Sequence, residues 1–394
     1  MSELWSPLQV DASPGQAPYR QFAVVLPSGQ RYWTVLGADD LRVQLADEFL
    51  FDRLSRGAES TTQAYAGAIG LLLTWCAMTG RSVSTASLSF GRFVFWLRRY
   101  DSRRRRFVGP GLDDVRGAAR INAILAGVRE FYQHLVAVKV LPQSAIDALY
   151  RVVDDRWMPA DVRRESTSLR YRMKPIHRVK VVEKGIPRAT DEETVALLRA
   201  CLNARDRLIV MLAVRVGMRR GEIAGLRLSD VHLLPGKHVG CRSEGPHLHV
   251  VKRANPNRAA AKSRISRELP CDPLVVRMFD DWSAQRDMVA GAAFCDFVIV
   301  TLGGPNPGSS VRPGLINEVF EALVARAGLE RNVHPHMLRH AMLSNVLDHG
   351  GTIDEAQVLA GHASPDTTSR TYLHPAAARL RAAVERVPVP RNLT

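Results

Sequence analysis

The stretch that decides the reading of this chain runs from His334 to His374: HPHMLRHAMLSNVLDHGGTIDEAQVLAGHASPDTTSRTYLH. Pro335 suits the first position of a helix, where a missing N–H is no loss. His336, Arg339 and His340 then fall at i, i+3 and i+4 and share one helical face. Gly350 and Gly351 stop that helix, and Thr352 with Glu355 forms a capping box that starts the next. Gly361 ends the second helix and leaves His362 on a tight turn. Ser364-Pro365 starts a further helical turn that leads to Tyr372. Short helices joined by tight turns thus carry histidines, an arginine and a tyrosine toward one cleft.

Such a set suits attack by a phenol on a phosphate ester. A phenol with an ordinary pKa near 10 needs a base or cationic surroundings to become a nucleophile. The phosphorane that forms needs fixed positive donors, and the arginine fork spans two oxygens. The motifs His336-Met337-Leu338-Arg339, Gly361-His362 and Tyr372 resemble, in order and spacing, those of the tyrosine recombinase (phage integrase) family. The rival reading of a lone His-x-x-Arg as a solvated helix face does not explain the ordered set.

Upstream, Thr190 to Glu193 is a capping box that opens a helix, and RDRLIVMLAVRV (205–216) is a strongly apolar helix at the heart of a domain. Gly217-Met218-Arg219-Arg220-Gly221-Glu222 follows, with Leu226 and Asp230 beyond it. This resembles the family's Gly-hydrophobic-Arg-x-x-Glu segment and places its first catalytic arginine at Arg219. Strand-like pieces at His247–Val251 and Ser266–Leu269 bracket a long basic connection, KRANPNRAAAKSRI. The family carries a lysine in this hairpin. Lys262 has the family's spacing to Arg267 and Pro270, and Lys252, at the end of the first strand, competes. A third strand is expected over Asp296–Thr301, and an amphipathic helix over residues 313–328. His238, Cys241, His247 and His249 offer metal-ligand types, but their spacing matches no usual zinc pattern, and they are read as unrelated.

The chain has 394 residues, 46% of them hydrophobic, enough for two or three domains with real cores. A formal charge of +15 points to a polyanionic partner. Five cysteines without a CxxC pair suggest a reducing compartment and no disulfide framework. The first residues lack a signal-peptide pattern, and no apolar run reaches membrane-spanning length.

Residues 1–39 read as an extension with a β-hairpin, Phe22 to Leu36, turning at Pro27-Ser28-Gly29. Residues 40–155 read as helical: one helix through Tyr65, Ile69, Leu72, Leu73 and Cys76 with Ser60 or Thr61 as its cap, one over Phe93–Tyr100, and one over Ala119–Val138. This pattern resembles the family's core DNA-binding domain. Arg103, Arg104, Arg105 and Arg106 follow the second helix and suit phosphate contacts. Residues 156–188 read as a basic interdomain linker, with Arg170, Arg172 and Lys174 as DNA contacts. Residues 189–394 form the catalytic domain and its C-terminal tail.

The resemblance implies a mainly α fold with a small antiparallel β-sheet (α+β), in which a helical core-binding domain and a catalytic domain clamp duplex DNA. It implies that Tyr372 attacks the scissile phosphate to give a 3′-phosphotyrosine, with Arg219, Arg339 and His362 on the phosphate, His336 taking the tyrosine proton and Lys262 protonating the leaving 5′ oxygen; Lys252 is then a DNA contact. No cofactor and no metal are implied. The implied partners are double-stranded DNA with specific recombination sites, a homotetramer on paired sites, and accessory DNA-bending or sister recombinase proteins. The implied location is cytoplasmic and nucleoid-associated. A type IB topoisomerase or telomere resolvase would use the same residues, and a catalytically inactive DNA-binding protein is the alternative of a different class.

Overall fold

The structure is a computed structural model and describes residues 19–56, 59–101, 104, 106–109, 112–154, 171–181, 187–234, 241, 243–260 and 266–361. The chain divides into two compact units, Met1–Glu183 and Lys184–Thr394. Among the described residues no helix is long and apolar enough to cross a membrane.

The first unit opens with the expected hairpin. Strands β1 (Arg20–Val25) and β2 (Arg31–Leu36) pair antiparallel with Arg20 opposite Leu36 and Val25 opposite Arg31. β2 packs on α2 (Glu59–Thr79), and α1 (Gln44–Arg56) and α5 (Ala118–Ala137) pack on the same helix. Two of the helices predicted from sequence are found nearly in register, α5 and α4 (Phe90–Arg99). The cap predicted at Ser60 or Thr61 is not one: both lie inside α2, which already runs from Glu59. α3 (Val83–Leu88) joins α2 to α4 and receives the Tyr132 hydroxyl, which donates to the Val83 carbonyl at 2.6 Å. Trp75, Phe93, Trp96 and Tyr100 run through the core as successive ring contacts of 5.2, 6.1 and 4.8 Å.

After α4 the chain makes a minimal ladder, β3 (Tyr100–Asp101) with β4 (Arg106–Phe107), so Arg104 lies between the two strands and Arg106 opens the second. α6 (Ser144–Asp147) is followed by β5 (Tyr150–Asp154), which pairs antiparallel with β6 (Tyr171–Pro175). The basic stretch read as a linker therefore contributes a strand. Its continuation is tied to the same unit: Asn122 donates to and accepts from the Val179 backbone at 2.8 and 3.0 Å, and Arg129 donates to the His177 carbonyl.

The second unit is built around α8 (Ala204–Val214), whose residues Leu208 to Ala213 are all buried. Asn203 caps it by accepting from the Asp206 N–H at 2.8 Å. α10 (Pro273–Asp287) and α12 (Pro335–Asp348) pack on α8, while α7 (Asp191–Arg199), α9 (Arg220–Gly225) and α11 (Pro313–Ala327) close the core. The capping box at Thr190 and Glu193 is present in both directions, at 3.2 and 2.8 Å. A three-stranded antiparallel sheet in the order β7 (Val231–His232), β8 (His247–Val250), β9 (Arg267–Pro270) lies beside the core.

The third strand of this sheet is β7, not the segment 296–301 predicted from its apolar run. That segment makes only two isolated bridges, Phe297 to Arg227 and Val300 to Ser310. Some of the carbonyls here are taken by side chains of α10 instead of a neighbouring strand. Trp282 Nε1 donates to the Val298 oxygen at 2.9 Å, and Arg286 donates to the Cys295 and Phe297 oxygens at 2.5 and 3.1 Å. An apolar run marks burial, and here side chains of α10 together with scattered backbone bonds, such as Val298 N–H to the Leu226 carbonyl at 2.9 Å, satisfy the buried backbone in place of a strand ladder.

Candidate active site

The site begins where α8 ends. Gly217 has φ +71, a left-handed turn that favours glycine, and a Cβ there would lie 3.0 Å from Met342 Sδ of α12. The turn aims the chain into α9, with Arg219 in extended conformation as its N-cap residue. Glu222, three residues on, reaches back: its carboxylate accepts from the Arg219 backbone N–H and from Arg219 Nη1, both at 2.9 Å.

Glu222 is also held from β9. Arg267 forks onto both its oxygens, at 3.1 and 2.8 Å. Both side chains of this pair are nearly inaccessible to solvent, 0% for the carboxylate and 6% for the guanidinium. Burial alone would raise the Glu222 carboxyl. The Arg267 bonds and charge, with the nearby charges of Arg219 and Arg339, overcome that and hold it below the usual carboxylate range. Three guanidinium groups thus act on one carboxylate, two by hydrogen bonds and Arg339 by its charge.

Arg339 comes from α12 and is 1% exposed. It donates to the Gly217 carbonyl and, at 2.5 Å, to the Ala360 carbonyl. Arg267 Nε donates to the neighbouring Leu359 carbonyl at 3.1 Å. Leu359 and Ala360 close α13 (Ile353–Ala360), whose last carbonyls lack partners within the helix and carry the negative end of its dipole. Arg339 therefore clamps the end of α13 to the turn that precedes Arg219, and Arg267 ties it to Glu222. Gly361, at φ +59, follows as the helix C-cap. On the exposed flank of α12, His336 Nε2 lies 2.8 Å from His340 Nε2; His340 is 4% exposed, so the inner ring props the outer one.

The long connection after β8 packs onto α9. A Cβ on Gly221 would sit 2.6 Å from the Ala260 carbonyl, a backbone atom, so only glycine admits this approach. The connection is held by asparagines. Asn255 Nδ2 donates to the Ala259 oxygen at 2.9 Å, and Asn257 Nδ2 to the Ala224 and Val311 oxygens at 2.8 Å each. Asp230 is buried and accepts from the Arg227 N–H at 3.0 Å and from Arg253.

Of the six catalytic residues predicted from sequence, the structure brings Arg219 and Arg339 to one cluster and places His336 on the helix that carries Arg339. Lys262, His362 and Tyr372 lie outside the described residues. Among the predicted DNA contacts, Arg104 is exposed with Asp101 at 3.8 Å, Arg106 and Lys252 are exposed, and Lys174 is half-buried in β6. Arg103, Arg105, Arg170 and the Arg172 side chain lie outside the described residues. Two participants were given no role from sequence: Glu222, detectable as the acid three residues after Arg219, and Arg267, which served only to set a spacing.

The reading of Cys241, His247 and His249 as unrelated does not survive. The structure gathers them with His232, all four ligand-type atoms lying within 4.8 Å of one another. His238 lies outside the described residues.

Residues 187–379 match the Phage integrase family, so the second part of the chain is a domain of that family, the tyrosine recombinases. Transposase A from transposon Tn554 of Staphylococcus aureus is 25% identical over 319 residues, 80% of this chain and 82% of the relative. Tyrosine recombinase XerC of Myxococcus xanthus is 26% identical over 271 residues, 68% of this chain and 75% of the relative. Among solved structures, the Tn1549 transposon integrase in complex with a circular intermediate DNA aligns with TM-score 0.51 at 16% identity, over 78% of this chain and 87% of that one. A lambda integrase dimer bound to a COC′ core site aligns with TM-score 0.51 at 15% identity, over 84% and 76%. These likenesses carry the fold: a mainly helical chain with small antiparallel sheets.

Proposed function

We propose that this protein is a site-specific DNA recombinase or integrase whose second unit breaks and rejoins DNA through a 3′-phosphotyrosine at Tyr372. The observation that carries the assignment of the site is the cluster of Arg219, Arg267 and Arg339 around the single carboxylate of Glu222. A set of guanidinium groups held in place before substrate arrives stabilises an oxyanion without reorganising in the transition state.

In this reading Arg219 and Arg339 hold the non-bridging oxygens of the scissile phosphate. Tyr372 attacks phosphorus, the P–O5′ bond breaks, and the 3′ phosphate remains on the tyrosine. His336 takes the phenolic proton, and its contact with His340 sets the ring orientation. Lys262 gives a proton to the leaving 5′ oxygen. His362, next in sequence after the Gly361 cap of α13, donates to the phosphate. Attack by a 5′ hydroxyl on the phosphotyrosine reverses the same steps and rejoins the strand, so the ester energy is conserved and no nucleotide cofactor is consumed.

Double-stranded DNA carrying specific recombination sites is the substrate, gripped by both units, with Arg103–Arg106 and the basic stretch around Arg170, Arg172 and Lys174 on phosphates. Active assemblies are homotetramers on two paired sites, with accessory DNA-bending or sister recombinase proteins, and the protein acts at the nucleoid. The relation to a transposon transposase and to recombinases supports strand exchange over topoisomerase or resolvase activity.

The test is a nicked duplex containing the recombination site, on which cleavage releases a short fragment and traps the covalent complex. A denaturation-resistant adduct is expected with the native chain. Tyr372→Phe should abolish it and leave DNA binding within about twofold, since a single hydroxyl is lost. An adduct that persists in the Phe variant would move the nucleophile elsewhere.

A further inference from the structure

His232, Cys241, His247 and His249 converge at the root of the β8–β9 hairpin in the way a metal would hold them. The sheet itself arranges this. His232 on β7 sits directly opposite His247 on β8, and His249 lies two residues further along the same face of β8. Leu248 and Val250, on the alternate face, fill the core. Cys241, in the connection between the two strands, brings its thiol over the imidazoles and is buried.

Five of the six distances among the four ligand atoms are close to the edges of a coordination tetrahedron, and the sixth, from the Cys241 sulfur to His232, lies within 4.8 Å. Nitrogen to nitrogen, His232 Nδ1 to His247 Nε2 is 3.2 Å, His247 Nε2 to His249 Nε2 is 3.2 Å, and His249 Nε2 to His232 Nδ1 is 3.3 Å. The Cys241 sulfur lies 3.2 Å from His247 Nε2 and 3.4 Å from His249 Nε2. Zinc–nitrogen and zinc–sulfur bonds of about 2.0–2.1 and 2.3 Å in a tetrahedron require edges of roughly 3.3–3.4 Å between nitrogens and roughly 3.5–3.6 Å from nitrogen to sulfur. The five edges given are within a few tenths of an ångström of these, and a small turn of the Cys241 side chain toward His232 would close the sixth.

Hydrogen bonding does not account for the arrangement. Three imidazole nitrogens in mutual contact have three edges to satisfy. With no proton among them, three lone pairs face one another. One proton still leaves lone pair against lone pair, and two set N–H against N–H. A cation that accepts every lone pair removes the conflict. The outer contacts agree: His247 Nδ1 lies 2.7 Å from the Gly245 carbonyl, which fixes the proton there and turns the Nε2 lone pair inward. Behind His249, Glu268 lies 3.9 Å from Nδ1.

We propose that these four side chains form a structural zinc site with a His3Cys donor set. Three neutral imidazoles and one thiolate are donors of the borderline softness that zinc favours. All four positions of the tetrahedron are taken by protein, which makes the site structural rather than catalytic. Its place gives it a purpose. The ion pins β7 to β8 and fixes the strand from which the lysine-bearing connection departs. Binding releases the thiol proton and any proton on the inward nitrogens.

The test uses the full-length chain without a polyhistidine tag, dialysed against metal-depleted buffer and analysed by plasma mass spectrometry. One zinc ion per chain is expected. The metal-free protein, titrated with Co2+, should develop the intense visible bands of tetrahedral cobalt and a thiolate-to-cobalt charge-transfer band, both lost on adding equimolar Zn2+. Cys241→Ser should remove the charge-transfer band, and His249→Ala should weaken zinc retention by more than the roughly tenfold that losing an outer partner costs. Cys295→Ser, at a thiol outside the cluster, should leave metal content and spectrum as in the native chain. Folded native protein that neither carries zinc nor gives a tetrahedral cobalt spectrum would overturn the proposal. So would a charge-transfer band that survives Cys241→Ser. Because the readouts are metal content and spectrum, failure here leaves the recombinase reading untouched.

Discussion

Replacing Glu222 by Gln probes whether the arginine cluster depends on its counter-charge. The amide keeps the volume and one acceptor oxygen, but puts an NH2 where an oxygen accepted from guanidinium donors. In the native cluster the carboxylate accepts the fork of Arg267 at 3.1 and 2.8 Å, away from solvent, and two partly buried bonds from Arg219 at 2.9 Å. Removing one partner of a buried ion pair costs about 3–5 kcal/mol. The remaining oxygen puts this variant at the lower end, near ~3 kcal/mol. For a unit of this size each kcal/mol moves the midpoint by about 2–4 °C. The unfolding transition of the second unit, followed by calorimetry, should therefore fall by roughly 6–12 °C at pH 7.

The pH dependence has a definite sign. The Glu222 carboxyl sits below its usual range in the folded state. Its contribution is therefore complete above the unfolded value, near about 4.3, and is lost as pH falls through the folded one. Glutamine does not titrate. The gap between native and variant should stay constant from neutrality down to about pH 5 and close only below it. Sulfate, which supplies an anion to the same arginines, should raise the midpoint of the variant more than that of the native chain. A gap under about 1 kcal/mol at pH 7, or one that widens on acidification, would refute the reasoning.

Three further outcomes are expected. Gly221→Ala, whose new Cβ would lie 2.6 Å from the Ala260 carbonyl, should displace the lysine-bearing connection and slow single-turnover cleavage by up to about a hundredfold, with site binding measured in parallel nearly unchanged. Lys262→Ala should be slower by on the order of a hundredfold on normal DNA and largely rescued when the bridging 5′ oxygen is replaced by sulfur, a leaving group that needs no acid, whereas Lys252→Ala should show a smaller and equal loss on both substrates; rescue of Lys252→Ala alone would make that residue the general acid. Truncation at Pro375 should weaken the pairing of two sites more than binding to one, measured by mobility shift, if the tail contacts a neighbouring subunit.

What the sequence disclosed and what it hid follow from the range of the interactions. The box at Thr352 and Glu355, the proline opening α12 and the glycine closing α13 are decided within four or five residues, and each is found where the residues put it. The hairpin of β1 and β2 is equally local, since its turn lies between the strands it joins. Segment 296–301 was misjudged because its apolar run reports burial, while the choice between strand and irregular backbone was made by Trp282 and Arg286, side chains on a helix elsewhere in the chain.

The histidine cluster is the sharpest case. Zinc patterns are recognisable in sequence when pairs of ligands sit on one turn or one helix. Here only His247 and His249 are local to each other. His232 enters from a two-residue strand, and its place is decided by the register that sets it opposite His247. A strand that short leaves no period to read. Its partner strand is recognisable only through the alternation of Leu248 and Val250 toward the core, which obliges His247 and His249 onto the other face together. That alternation was available from sequence: two histidines two apart on a half-buried strand must share a face, and a buried cysteine six residues before them is within reach of it. The combination that defeats a spacing rule therefore still follows from the pleat, once the question asked is which side chains a strand forces together rather than how far apart they stand along the chain.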